Sequence, residues 1–133
     1  MSRAIARRGT TAVEFAVASA VLLMLTFTAM DLGMLYLAQQ ALNNGVAQAM
    51  RYAAVNSGSS SDASITSRFD TAVTPVLGAA QAGQCRVTVS FSPSNAPGGS
   101  VTVQASLVWH PLTSFDFMPS VTLTSAHSLV IQH

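Results

Sequence analysis

From Phe15 to Met30 the chain holds 16 consecutive uncharged residues, nearly all of them apolar. As a helix this run spans about 24 Å, slightly under the roughly 20 residues that cross a bilayer. After Asp31 the apolar character resumes from Leu32 to Ala38, so a full membrane span is expected over residues 10–38. That span sets Glu14 near one interface and Asp31 near the other. Helical periodicity then continues. Leu32, Leu35, Gln39, Leu42, Val46, Ala49 and Ala53 form a stripe broken only by Gln39, with Gln40, Asn43, Asn44, Gln48 and Arg51 on the other faces. The pattern predicts one long helix from about Thr10 to about Ala54, with residues 39–55 as its amphipathic continuation. Gly33 and Gly45 each weaken it by about 1 kcal/mol relative to alanine, so a bend is expected near one of them.

Asn56 to Ser64 is a polar run of turn-forming residues, read as a linker. Ile65, Phe69, Ala72, Val73 and Val76 then predict a short second helix, capped by Ser61, Asp62 or Ser64 and disrupted at Pro75. The period changes from there. Cys85, Val87, Val89 and Phe91 alternate with polar residues, as do Val101, Val103, Ala105 and Leu107, and the turn cluster Ser92–Ser100 separates the two runs. A proline-bounded loop from His110 to Ser120 precedes a third strand, Val121 to Ile131. The expected fold class is α+β: a long N-terminal helix, a short second helix and a small three-stranded antiparallel sheet. Residues 65–133 form a small α+β domain whose limited core needs support from the amphipathic helix and from neighbouring subunits.

Charge sharpens this picture. Only 8% of the residues are charged, against roughly 25% in an average soluble domain, and every basic residue is arginine. A net charge of +1 with no basic stripe argues against nucleic-acid binding. Arg3, Arg7 and Arg8 precede the apolar run and orient it with the N-terminus cytoplasmic. A cleaved secretory signal is disfavoured, because Thr28 to Gly33 places a methionine and an acid where small residues are needed. The single cysteine, Cys85, forms no intrachain disulfide and reads as a small core hydrophobe.

No catalytic or metal-binding pattern is present: there is no phosphate loop, no metal-type His/Cys spacing and no nucleophile elbow. His110 could reach Asp116 in one loop but reads as solvated, and His127 reads as a surface residue. His133 is dispersed from both. Trp109 and Phe115 are expected to close one end of the sheet. No metal, cofactor or small-molecule substrate is expected. Glu14 and Asp31 remain as the unusual residues, carboxylates bordering an apolar run where an ionised group at the bilayer centre costs about 2.5–3.5 kcal/mol.

The segment Gly9-Thr-Thr-Ala-Val-Glu-Phe15 resembles the processing site of type IV prepilins, and more specifically that of the Tad (tight adherence) pilus proteins. Further resemblance is to the TadE family of minor pilins or pseudopilins. It rests on RRGTTAVEFAV at the front, on Asp31-Leu32-Gly33 after the apolar run, on Ala38 to Val55, and on the strand–proline loop–strand ending. The resemblance implies a basic leader of residues 1–9 and cleavage between Gly9 and Thr10 by a membrane-embedded prepilin peptidase. It implies that Glu14, followed by the aromatic Phe15, neutralises the new amino terminus of an adjacent subunit, and that Asp31 and Gly33 sit at the end of the span. The expected protein is a single-pass inner-membrane minor pilin or pseudopilin with a periplasmic C-terminal domain. Its expected partners are other pilins and Tad assembly-platform proteins, it acts without catalysis, and it is either retained in the assembly machine or incorporated in an extracellular pilus. The rivals are an exported soluble enzyme and an unprocessed membrane-anchored interaction domain.

Overall fold

The computed structural model describes residues 2–56, 58–111 and 119–131, with side chains from Thr10 onward. Helix α1 runs Ser2–Val55 and α2 runs Asp62–Ala82; they are followed by strands β1 (Arg86–Ser92), β2 (Ser100–Trp109) and β3 (Val121–Val130). The α+β class and the single antiparallel sheet, ordered β1-β2-β3, are those expected from the periodicity. Internal contacts divide the chain into two units, residues 1–34 and 35–133.

Helix α1 begins earlier than the apolar pattern suggests, since the alanine- and arginine-rich residues before Thr10 are also helical. Its helical assignment runs unbroken through Gly33 and Gly45, so neither glycine interrupts it. The stripe also needs correction at its start. Leu32 is exposed, and burial sets in only at the half-buried Leu35 and the buried Ala38. From there Ala41, Leu42, Val46, Ala49 and Ala53 are buried and join α2 and the sheet in one core.

Gly45 has a different role from the weak point expected of it. A Cβ there would strike Val73 Cγ2 and would come within 2.8 Å of the Phe69 ring, so the missing side chain is what lets the α2 side chains lie against α1. On α2, Ile65, Phe69 and Val73 recur every fourth residue and are fully buried, one face of a helix against the core. Arg68, beside that face, places its guanidinium 4.9 Å from the centre of the Tyr52 ring on α1.

The start of α2 is fixed by Ser61. Its hydroxyl accepts from the Ser64 N–H while the Ser64 hydroxyl accepts from the Ser61 N–H, a reciprocal capping box. Ser61→Ala is expected to lower stability by about 1 kcal/mol. Urea unfolding followed by the emission of Trp109, which is buried and is the chain's one tryptophan, reads this directly. Toward the other end, the disruption expected at Pro75 does not fall on the proline itself. The helix accommodates the proline, and the break falls at Gly78, whose φ of +76° is open to glycine without steric cost.

In the sheet, Val101, Val103, Ala105, Leu107 and Trp109 of β2 are buried, and their neighbours point outward. The register sets these residues opposite Leu129, His127, Ser125, Leu123 and Val121 of β3. On the β1 side, Val87, Val89 and Phe91 are half-buried. The turn between β1 and β2 is tied to the chain on two sides. The Gly98 N–H donates to the Ile131 carbonyl at 2.9 Å, and the Ile131 N–H donates to the Gly99 carbonyl at 2.8 Å. Asn95 Nδ2 lies 3.5 Å from Ser60 in the α1–α2 linker.

Candidate functional site

The residues of functional interest lie along the first unit. From Thr10 to Met34 the helix is exposed except at the half-buried Ser19 and at Asp31. Phe15 is 74% exposed, and Val13, Val17, Leu22, Leu23, Leu25, Met30 and Leu32 each present half or more of their surface. An apolar helix surface of this extent has no counterpart on an ordinary soluble monomer. The helix from Thr10 is long and apolar enough to cross a membrane.

Its few polar side chains are dealt with locally. Ser19 Oγ donates to the Phe15 carbonyl at 2.7 Å, Thr26 Oγ1 to Leu22 at 2.8 Å and Thr28 Oγ1 to Met24 at 2.8 Å. Each hydroxyl therefore closes its donor on the preceding turn of its own helix. A hydrocarbon surrounding demands that arrangement, because it offers no outside acceptor.

Glu14 stands in contrast. It is exposed, on a stretch from Thr10 to Ala18 that is exposed throughout. Gly9, Thr10, Glu14 and Phe15 all belong to α1, so they are presented on a continuous helix and not in an irregular loop. For Arg3, Arg7, Arg8 and Gly9 the structure describes the helical backbone alone. Asp31 differs from its neighbours in burial. It is 2% exposed, although Met30, Leu32 and Gly33 around it are exposed, and it has an interaction partner. No period or motif in the sequence signals that burial.

The remaining candidates separate cleanly. Cys85 is half-buried just before β1, with its Sγ 3.6 Å from the Gln81 carbonyl. Burial pushes its thiol pKa up, and the charge of Asp70 adds to the effect, so the thiolate is disfavoured at neutral pH. Trp109 is buried at the end of β2, as expected, while Phe115 and Asp116 lie outside the described residues. His110 and His127 are exposed, and His133 also lies outside the described residues. Among the described residues no three His, Cys, Asp or Glu side chains gather as a metal site.

Gln39, read from sequence as a flaw in the apolar stripe, has a defined place. Its Nε2 donates to the Thr124 carbonyl of β3 at 3.1 Å and approaches Asn43 Oδ1 at 3.3 Å. The polar position sits where the helix meets a strand edge, and periodicity alone does not reveal that.

Comparison with known families finds a match at the front of the chain. Residues 9–51 match the family model described as TadE-like protein. The match opens on Gly9, takes in Glu14, Phe15, Asp31 and Gly33, and extends through most of the amphipathic continuation. It is consistent with a TadE-like protein of the Tad system. It leaves α2 and the sheet outside. No curated protein and no solved structure matches the chain significantly.

Proposed function

We propose that this protein is a minor pilin or pseudopilin of a Tad-type pilus, anchored by one transmembrane helix and matured by a prepilin peptidase. The observation that carries the reading is the coincidence of two features on one helix. A TadE-like match begins at Gly9, and the helix from Thr10 is apolar, exposed and long enough to span a bilayer. In this reading residues 1–9 are the leader, with Arg3, Arg7 and Arg8 holding it on the cytoplasmic side of the inner membrane. Cleavage falls between Gly9 and Thr10. The apolar helix from Thr10 stays in the membrane, its amphipathic continuation follows outside it, and a polar linker leads to the rest of the periplasmic α+β domain.

The chemistry of assembly follows from electrostatics. Cleavage creates a positively charged amino group on Thr10 within an apolar surrounding. Glu14 of an adjacent subunit supplies the opposite charge, and Phe15 supplies apolar contact beside it. A buried ion pair is tolerated where either isolated ion is strongly disfavoured, so the pair rewards one axial register of packing. Asp31 and Gly33 mark the outer end of the span. The peptidase, other pilins and the Tad assembly platform are the partners, and no reaction is catalysed by this chain.

Intact-mass measurement and N-terminal sequencing of the protein from its native membrane test the reading. The expected mature chain begins at Thr10 and keeps the apolar helix. A mature chain beginning beyond Met30 makes the helix a removed signal and overturns the proposal, as does a chain that keeps residues 1–9 in cells with an active prepilin peptidase.

A further inference from the structure

Within the second unit, two contacts fix how α1 and the sheet run beside each other. Gln39 Nε2, early in this part of α1, donates to the Thr124 carbonyl of β3. Beyond the helix, Asn95 Nδ2 lies 3.5 Å from Ser60, and the turn that carries Asn95 is tied through Gly98 and Gly99 to Ile131, just past β3. The two paths between these contacts match, at about 24 Å along α1 from Gln39 to Val55 and about 23 Å along β3 from Thr124 to Ile131. Helix and strand therefore run in the same direction and keep level with each other. Val121 lies about 10 Å before Thr124, and Leu35 only about 6 Å before Gln39. The end of the sheet where β2 stops at Trp109 and β3 starts at Val121 thus extends past the level of Leu35, where the chain enters the unit.

The exposed surface of α1 changes character at the same level. Tyr36 and Leu37 are 63% and 51% exposed, whereas from there to Arg51 the exposed positions are Gln40, Asn44, Gln48 and Arg51. A switch from apolar to polar exposure is what a helix shows where hydrocarbon gives way to water, and tyrosine is enriched at that boundary. The Tyr36 hydroxyl accepts from Gln40 Nε2 at 2.9 Å. The sheet end follows the same rule. Its described residues, Val108 to Pro111 and Pro119 to Thr122, carry no formal charge, and Val108 is 48% exposed. Among the described residues of the unit, Arg51, Asp62, Arg68 and Asp70 all lie farther from this end. Arg86 is nearer: its register partner is Ser106, which also pairs with Thr124. The charge closest to the sheet end is therefore a cation, and it is exposed.

We propose that this end of the α+β unit, Val108–Pro111 and Pro119–Thr122 together with Tyr36 and Leu37, sits in the phospholipid headgroup layer. The inference rests on the reading of α1 as a membrane anchor and gives the unit a second attachment to the same surface. With Tyr36 among the headgroups, Val121 lies about 5 Å nearer the bilayer centre, inside a headgroup layer about 5–8 Å thick. The membrane that holds the helix therefore already reaches the sheet end. Neutral side chains suit that depth, because an ionised group costs more free energy the closer it comes to hydrocarbon. Arg86 stands about 5 Å to the water side of Tyr36, where the lipid phosphates supply the opposite charge. The contact is independent of cleavage after Gly9.

The experiment uses the full chain reconstituted in vesicles of phosphatidylethanolamine and phosphatidylglycerol. Cys85→Ala makes each introduced cysteine the sole thiol. A nitrobenzoxadiazole label is attached at Ser120→Cys on the sheet end, at Ser94→Cys in the opposite turn, or at Val21→Cys in the apolar run. All three positions are exposed, so the labels leave the core intact. Lipid with a nitroxide on its headgroup is expected to quench the Ser120→Cys label at least fivefold more than the Ser94→Cys label. Lipid with a nitroxide on its acyl chain is expected to quench the Val21→Cys label. In the unlabelled parent, the headgroup nitroxide is expected to lower Trp109 emission at least twofold, a check that needs no substitution. Equal quenching of the Ser120→Cys and Ser94→Cys labels, or Trp109 emission indifferent to the headgroup nitroxide, overturns the docking, and a quenched Val21→Cys label then leaves the anchor standing. A Val21→Cys label quenched by neither lipid removes the anchor and the docking with it.

Discussion

Phe69→Ala is expected to destabilise the second unit by about 3–5 kcal/mol, the usual effect of emptying a buried phenylalanine site. Phe69 is fully buried and sits where α2, α1 and the sheet share one core. The loss combines the transfer of the ring to water with the cavity left behind. The companion change, Gly45→Ala, tests the same contact from the other helix. Alanine is worth about 1 kcal/mol more than glycine in a helix interior, so propensity alone predicts a gain. The added Cβ, however, meets Val73 and the Phe69 ring, and overpacking of this kind costs about 1–3 kcal/mol. The net effect is expected to be a loss. In the Phe69→Ala background the ring is gone and the loss from Gly45→Ala should shrink, giving a coupling of at least 0.5 kcal/mol in a double-mutant cycle. Trp109 emission during urea unfolding of the full chain in detergent follows all four proteins. Strict additivity would show that Phe69 does not press on Gly45.

That contact marks the limit of what periodicity reveals. Alternation in Val87–Phe91 and Val101–Leu107 specifies both strands and their inward faces, because a half-buried sheet has a strict period of two. The Ile65–Phe69–Val73 spacing likewise specifies the buried face of α2. Gly45 is different: a glycine in a helix reads as weakness unless the partner that occupies its empty side is known, and that partner lies on another element. Gln39 is misread for the same reason, since the strand carbonyl it caps is distant in sequence. Pro75 is overweighted because its conflict with the preceding turn is a local rule, while the actual break depends on Gly78 reaching a positive φ.

The candidate site divides along the same line. Gly9, Thr10, Glu14 and Phe15 are adjacent in sequence, so the motif itself carries them, and residues 9–51 are where the family match falls. Asp31 is buried in a stretch whose neighbouring residues are all exposed, so no local pattern signals it. The sequence thus locates what is local and leaves enclosure to the fold.

Glu14→Ala is expected to leave cleavage after Gly9 intact and to reduce incorporation into assembled pili or pseudopili by about a hundredfold. The size follows from the proposed ion pair. Removing one partner of a buried pair strands the other charge at a penalty of about 3–5 kcal/mol, and each 1.4 kcal/mol is tenfold in an equilibrium. The partial water access of an interface places the effect at the lower end of that range. Within one chain the substitution should be silent: Glu14 is exposed on α1, outside the core of the second unit, so Trp109-monitored stability is expected to stay within about 0.5 kcal/mol of the parent. Glu14→Gln separates charge from shape, because it keeps the side chain's length and its hydrogen-bonding carbonyl but cannot neutralise the Thr10 amino group. It should fail nearly as badly as alanine, whereas Glu14→Asp should recover part of the incorporation. Immunoblotting of sheared pilus and membrane fractions measures the distribution, and intact mass reports cleavage in the same samples. Wild-type incorporation of Glu14→Gln would remove the charge pair from the account, and accumulation of uncut precursor in Glu14→Ala would move the residue's role from assembly to processing.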